Sequence, residues 1–189
     1  MVVSCTYVYL CEAGNYMLGG NEMPISDIKQ PEYVIVSDDI RLRKFDNNFD
    51  FALEWYQDEE TVMLVDGENE PYDMERLCRM YSYLNEHGEL YFIEVQDGDK
   101  YIPIGDVTFS YKDMPIVIGV ESYRGQGIGN KVVTALIERG KQLGYSYLAV
   151  NEIYKYNIGS QKLFEGVGFQ KYEETEDGYR YKLNLISGV

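Results

Sequence analysis

MPIVIGVESYRGQGIGNKVVTALIERGKQL, residues 114–143, reads as a strand, a glycine-rich turn and a helix, in that order. Ile116, Val117, Ile118 and Val120 make a short β-branched apolar run of the kind that forms buried strands. Gly125, Gly127 and Gly129 alternate through the turn. From Ile128 onward, Val132, Val133, Leu136, Ile137 and Leu143 share one helix face. A turn with little side-chain bulk, opening onto a helix N-terminus, leaves several backbone N–H groups pointing outward. With the positive end of the helix dipole they suit a phosphate or pyrophosphate. The stretch therefore predicts an anion grip for a phosphate-bearing cofactor.

Around this grip the chain has 189 residues, enough for one domain with a real core and a small appendage. Hydrophobic residues at 45% and charged residues at 26% describe a globular chain. Thirty-two acids against 17 bases give a net charge of −15, which argues against nucleic acid and against an anionic membrane surface. The same acidity favours a cationic substrate, although solubility alone also accounts for it. Cys5, Cys11 and Cys78 have no metal-ligand spacing, so the expectation is reduced thiols in a cytoplasm and no metal site. His87 is the only histidine and sits in a polar helix end, which leaves no partner set for a Ser-His-Asp triad or a zinc site. No apolar run is long enough for a membrane helix, and no basic, then apolar leader opens the chain.

Upstream of the grip, residues 1–35 read as an arm or hairpin, with a strand at Thr6 to Leu10 and breaks at Pro24 and Pro31. Residues 36–189 form the main domain. Asp39 to Phe45 alternates as an amphipathic strand. Phe51 to Tyr56 is a short helical segment, and Asp58-Glu59-Glu60 loads acids into the first turn of a helix running to Val65. A longer helix spans Asp73 to Glu86 and is closed by His87-Gly88. Leu90 to Val95, Ile102 to Phe109 and Met114 to Val120 are strands with short connections, hence an antiparallel meander. Downstream, Gly144 stops the grip's helix, Tyr147 to Ile153 is a strand joined by a right-handed parallel crossover, and Ile158 to Val167 is a helix. Phe169 to Tyr172 and Tyr179 to Leu185 make a hairpin. The class is mixed α/β, with a mostly antiparallel sheet flanked by helices.

Two phosphate motifs fail on particular residues. A dinucleotide fingerprint beginning at Gly125-x-Gly127 needs glycine at position 130, which is Asn130, and antiparallel strands precede the turn. A P-loop needs Gly-Lys-Ser/Thr, where this chain has Asn130-Lys131-Val132. What remains is Arg124-x-x-Gly127-x-Gly129 within Tyr123 to Gly129, followed by Asn157-x-x-Ser160-x-x-x-Phe164-x-x-x-Gly168-Phe169. In order and spacing these resemble the two motifs of the GNAT N-acetyltransferase superfamily, over roughly residues 39–185, with the aminoglycoside 6′-N-acetyltransferases as a similar branch.

The resemblance implies a fold in which two strands splay apart to admit acetyl-CoA. It implies that Gly125, Gln126, Gly127, Ile128, Gly129 and Asn130, with Arg124 and Lys131, meet the pyrophosphate. It places the pantetheine along Ile118, Gly119 and Val120, with a backbone N–H there facing the thioester carbonyl. Asn157, Ser160 and Phe164 would complete the cofactor site; Asn157 also reads as a plain helix cap. Many members have Tyr where this chain has Phe164, and Phe cannot protonate the leaving thiolate. Water, Tyr154 or Tyr156 would then act, or the thiolate leaves unprotonated.

Acetyl transfer needs a neutral amine, so a base must take a proton from the ammonium. Glu152, at the end of the strand facing the cofactor, is the first candidate and Glu121 the second. Glu54, Trp55 and Tyr56 are expected to face an acceptor amine, small and cationic, through charge and cation–π contact; Trp55 equally reads as a core aromatic. No Cys or Ser sits beside a base, so attack is direct, in a ternary complex. Acetylation of a protein N-terminus or lysine, or a CoA-binding sensor, are the alternatives. The protein is expected to be a monomer or homodimer.

Overall fold

The structure, a computed structural model, describes residues 28–185. The strand expected at Thr6 to Leu10, and most of the arm, lie outside these residues. Five strands form one antiparallel sheet in chain order: β1 (Tyr33–Ile35), β2 (Ile40–Lys44), β3 (Glu89–Asp97), β4 (Lys100–Phe109) and β5 (Ile116–Ile118). β1 falls inside the expected arm but is the edge strand of this sheet. The chain between β2 and β3 holds a 3-10 turn (Asp50–Ala52), α1 (Leu53–Tyr56), α2 (Glu59–Asp66) and α3 (Met74–His87). After β5 come α4 (Ile128–Gln142), β6 (Tyr147–Tyr154), α5 (Ile158–Gly166), β7 (Gln170–Glu174) and β8 (Gly178–Asn184).

The helix starts follow local chemistry. Asp58 accepts the Thr61 N–H at 3.2 Å, Asp73 the Arg76 N–H at 2.7 Å, and Asn157 the Ser160 N–H at 3.0 Å. Gly88 closes α3 in extended backbone, at φ −168°, not in the left-handed form usual after a helix. It fits there because a Cβ would stand 2.7 Å from a Thr108 methyl.

The sheet has two cores. On one side α4, β6 and β8 bury Val132, Val133, Leu136, Leu148 and Tyr181 against Tyr91, Ile93 and Val107. Arg139 fixes α4 to that side through the buried Glu89 carboxylate at 2.6 Å, which also receives the Tyr91 hydroxyl at 2.8 Å. On the other side Trp55, Tyr56, Leu77 and Tyr81 cover Leu90, Phe92 and Val117.

The expected parallel crossover is only half present. β6 belongs to a second, three-stranded sheet in the order β6-β8-β7, all antiparallel, and it makes no ladder with β5. Among the described residues β6 meets instead the connection that leads into β5, where the Ala149 N–H bonds Tyr111 O at 2.9 Å and the Asn151 N–H bonds Asp113 Oδ1 at 3.0 Å. The advance from 111 to 113 alongside 149 to 151 sets the strands in the same sense. Above that point they part.

Candidate active site

The gap between β5 and β6 has one wall of backbone that is paired to no second strand. The Thr108 N–H bonds Pro115 O at 3.0 Å, and β4 pairs with β5 as Asp106↔Val117. Antiparallel bonding alternates, so Pro115 and Val117 face β4 while Ile116 and Ile118 turn their N–H and C=O groups into the gap. The Val120 N–H, expected among the groups for the thioester carbonyl, donates instead to Ile104 O at 3.0 Å. That narrows the segment to Ile118 and Gly119. Gly119 is crowded: a Cβ there would lie 2.1 Å from Trp55 Cγ.

At the top of this wall, Gly127 is the N-cap of α4 with φ 77° and no side-chain cap, which leaves the first N–H groups of the helix open. A Cβ at Gly125 or Gly127 would meet nothing within 4 Å. The open N–H groups, the clear space beside them and the unpaired edge of β5 fit a pyrophosphate followed by an extended amide chain. Ile128 is 6% exposed and anchors the turn in the core, and Gln126 steadies it by donating to Ser122 O at 2.6 Å. Gly129 serves packing, since a Cβ would press to 3.2 Å of Leu163 on α5. Asn130 and Lys131 are exposed and border a groove of about 720 Å³ between α4 and β1.

Arg124 does not reach toward the turn. Its Nε donates to Ile118 O at 2.9 Å, and its Nη2 to Gly119 O at 3.2 Å and Thr61 Oγ1 at 2.8 Å. Asp58 Oδ2 lies 3.6 Å away and also takes the Thr61 hydroxyl, a bond that holds the Asp58 carboxyl below its ordinary range. Across the gap, the Asn157 amide donates to Leu64 O at 3.1 Å, while its oxygen caps α5 through Ser160. Tyr154 donates to Asp66 O at 3.0 Å and Tyr156 to Met63 O at 2.8 Å, their rings stacked at 5.2 Å. Phe164 is 2% exposed and packs edge-on against Phe169.

Glu152 is exposed, at a register shift between β6 and β8, and accepts a hydrogen bond from the Thr175 hydroxyl on the β7–β8 turn. Glu121 is exposed beside the glycine turn. Of the expected acceptor-facing residues, Glu54 is exposed, whereas Trp55 and Tyr56 are 6% and 1% exposed.

Tyr56 leads to a group that sequence reasoning missed. Its hydroxyl donates to Asp106 on β4 at 2.9 Å, and the Tyr81 hydroxyl donates to the same carboxylate at 2.8 Å. Asp106 is 3% exposed; burial pushes its carboxyl up to about 6, against the pull of the two hydroxyl bonds. The available signal was an acid isolated in the otherwise uncharged strand run from Ile102 to Phe109.

The family model of the acetyltransferase (GNAT) domain matches residues 39–170. The chain belongs to that family and is an N-acetyltransferase that uses acetyl-CoA. Among solved structures it is similar to a domain from Methanocaldococcus jannaschii (23% identity, 77% of this chain, 97% of that one, TM-score 0.68). It is also similar to spermidine N-acetyltransferase from Vibrio cholerae in complex with CoA and spermine (16%, 79% and 97%, TM-score 0.63). A third is the Salmonella typhimurium acetyltransferase that modifies the N-terminal serine of ribosomal protein L7/L12 (16%, 81% and 99%, TM-score 0.62). A comparison with curated proteins gave no match. No helix among the described residues is long and apolar enough to cross a membrane.

Proposed function

We propose that the enzyme acetylates a small cationic amine, polyamine-like or aminoglycoside-like, by direct attack within a ternary complex. The observation that carries this reading is the setting of Tyr154, whose hydroxyl pKa is raised first by burial and then by Glu152, Asp66, Asp177 and Glu68, of which Asp66 and Glu68 also pair with Arg76. An ammonium group approaching the mouth of the cleft meets carboxylates from β6, α2 and the β7–β8 turn, which stabilise it.

Acetyl-CoA, when bound, supplies an activated acetyl group and a thiol leaving group. The α4 N-terminus, Gly125 to Asn130, would hold its pyrophosphate, and the outward N–H and C=O of Ile116 would bond its amide arm. The N–H groups at Ile118 and Gly119 would meet the acetyl carbonyl and stabilise negative charge there. Glu152, oriented by Thr175, takes the proton from the incoming ammonium. Phe164 has no proton to give, and the chain needs no acid, because a thiolate with a pKa of about 8.5 leaves readily. The acetylating domain takes in β1 and so begins by Tyr33, earlier than residue 36, and the thiols suit a reducing cytoplasm.

The test is thiol release from acetyl-CoA with spermidine, an aminoglycoside and a peptide bearing a free N-terminal serine. Turnover on the first two supports the reading; turnover on the peptide alone sinks it in favour of protein acetylation. Glu152→Gln is expected to lower kcat about 100-fold with CoA affinity unchanged; an unchanged kcat would remove Glu152 from this role.

A further inference from the structure

α2 is tied to both walls of the cofactor cleft. Arg124 joins its first turn, through Thr61 Oγ1 at 2.8 Å, to the Ile118 and Gly119 carbonyls at the end of β5. At the other end, Tyr156, Asn157 and Tyr154 bond the carbonyls of Met63, Leu64 and Asp66 at 2.8, 3.1 and 3.0 Å. Tyr154 ends β6, and Tyr156 and Asn157 follow it directly. The helix ends there in a left-handed Gly67, whose Cβ position would lie 3.0 Å from the Tyr154 ring.

The dimensions suit a spacer. A strand pair that admits one extended chain between its members must stand two strand spacings apart, about 10 Å. From Thr61 to Asp66, the outermost residues bonded, the helix rises about 7.5 Å, and the Arg124, Tyr154 and Tyr156 side chains reach across the remainder. Both β5 and β6 lack a ladder with each other above Asp113, so no backbone bonding fixes their distance. The bonds to α2 are what the described residues offer in its place.

We propose that α2 is a crossbeam that sets the width of the cofactor cleft, and that Arg124, Thr61, Tyr156 and Asn157 are positioning residues acting through it. Arg124 and Asn157 head the two sequence motifs, and both direct their side chains to this helix. The motifs thus hold the cofactor site partly by holding the beam. The inference rests on the assignment of acetyl-CoA to the β5–β6 gap.

Calorimetry with CoA on the full chain tests it without an acceptor. Thr61→Val keeps shape but removes the hydroxyl that Arg124 bonds, and is expected to weaken CoA binding about fivefold. Thr61→Ser restores the hydroxyl and is expected to bind within about twofold of wild type. Tyr156→Phe, at the far end, is expected to weaken binding about as much as Thr61→Val. A beam freed at one end is no longer a beam, so the double variant should bind about as weakly as either single one. Hydrogen exchange gives a second readout: CoA should slow the amides of residues 62–67 about tenfold in wild type and not in Thr61→Val. Undiminished CoA binding by Thr61→Val, or single effects that multiply in the double variant, would overturn the crossbeam. Failure of wild type to bind CoA would overturn it at its base, by removing the cleft.

Discussion

One face of the five-stranded sheet rests mainly on aliphatic side chains, with Tyr91, Phe109, Phe164, Phe169 and Tyr181 among them, and the other mainly on aromatic ones. Under α4 the contacts are Val132, Val133, Leu136, Ile137, Leu148 and Val150. Under α1 and α3 they are Phe45, Phe49, Trp55, Tyr81 and Phe92, gathered around Asp106. Aliphatic packing is replaceable as long as volume is kept. A buried carboxylate holding two hydroxyls is not, because losing one member strands the others. On the aliphatic side α4 is clipped down by Arg139 on the buried Glu89, an ion pair, whereas the aromatic side closes on Asp106, whose two bonds come from the Tyr56 and Tyr81 hydroxyls.

The contrast can be broken most sharply at its centre. Asp106→Ala leaves the Tyr56 and Tyr81 hydroxyls buried without an acceptor, at a cost of about 4 kcal/mol. Leu136→Met, equally buried on the other face, should cost less than about 1.5 kcal/mol. Equal losses in denaturant unfolding would mean that the two faces do not differ in this way.

Next in size is a pH effect. The Asp106 carboxyl is raised to about 6, so between its unfolded value and that point the folded chain holds the proton more tightly. Stability from this group is therefore full in acid and is lost as pH rises from about 4 to about 6, by about 3 kcal/mol, with no further change above. The difference between wild type and Asp106→Asn, followed by unfolding across that range, should show this fall; a flat difference contradicts it.

Gly127→Trp sharpens the other side of the comparison. It fills the open space at the α4 N-terminus and should weaken CoA binding at least about 100-fold, or about 2.7 kcal/mol, by calorimetry. Its folding cost should stay near the 1–2 kcal/mol, roughly, of a side chain at positive φ. The smallest effect belongs to the rim of the aromatic face. Tyr72 stacks on Tyr56 and donates to Asp66 at 2.6 Å, and Tyr72→Phe should lower the unfolding free energy by about 1 kcal/mol.

The same division governs what could be read from the sequence. The α4 side was legible because its chemistry is local: a glycine turn, then apolar residues at helical spacing, and the Asn157 helix cap. The antiparallel meander was legible from short connections. The destinations of Arg124, Tyr154 and Tyr156 were not, because each reaches a backbone carbonyl on another element, and a carbonyl leaves no mark in a sequence. Tyr56 and Trp55 looked like groups for a ligand and turned inward, since an aromatic beside acids has the same pattern whether it faces an amine or a buried carboxylate. The failed ladder between β5 and β6 was expected from the family resemblance alone and not from the residues, since two apolar strands joined by a helix ordinarily pair.

Asp113 shows why they do not. One oxygen of its side chain receives the Met114 N–H and the Asn151 N–H, each at 3.0 Å, at the foot of the two strands. Those are the donors a growing sheet would have used for its next rung. Taken up by a side chain, they stop the zip one step short, and burial raises the pKa of that carboxyl without depriving it of either donor. A single carboxylate thus marks where this protein ceases to be a sheet and becomes a slot.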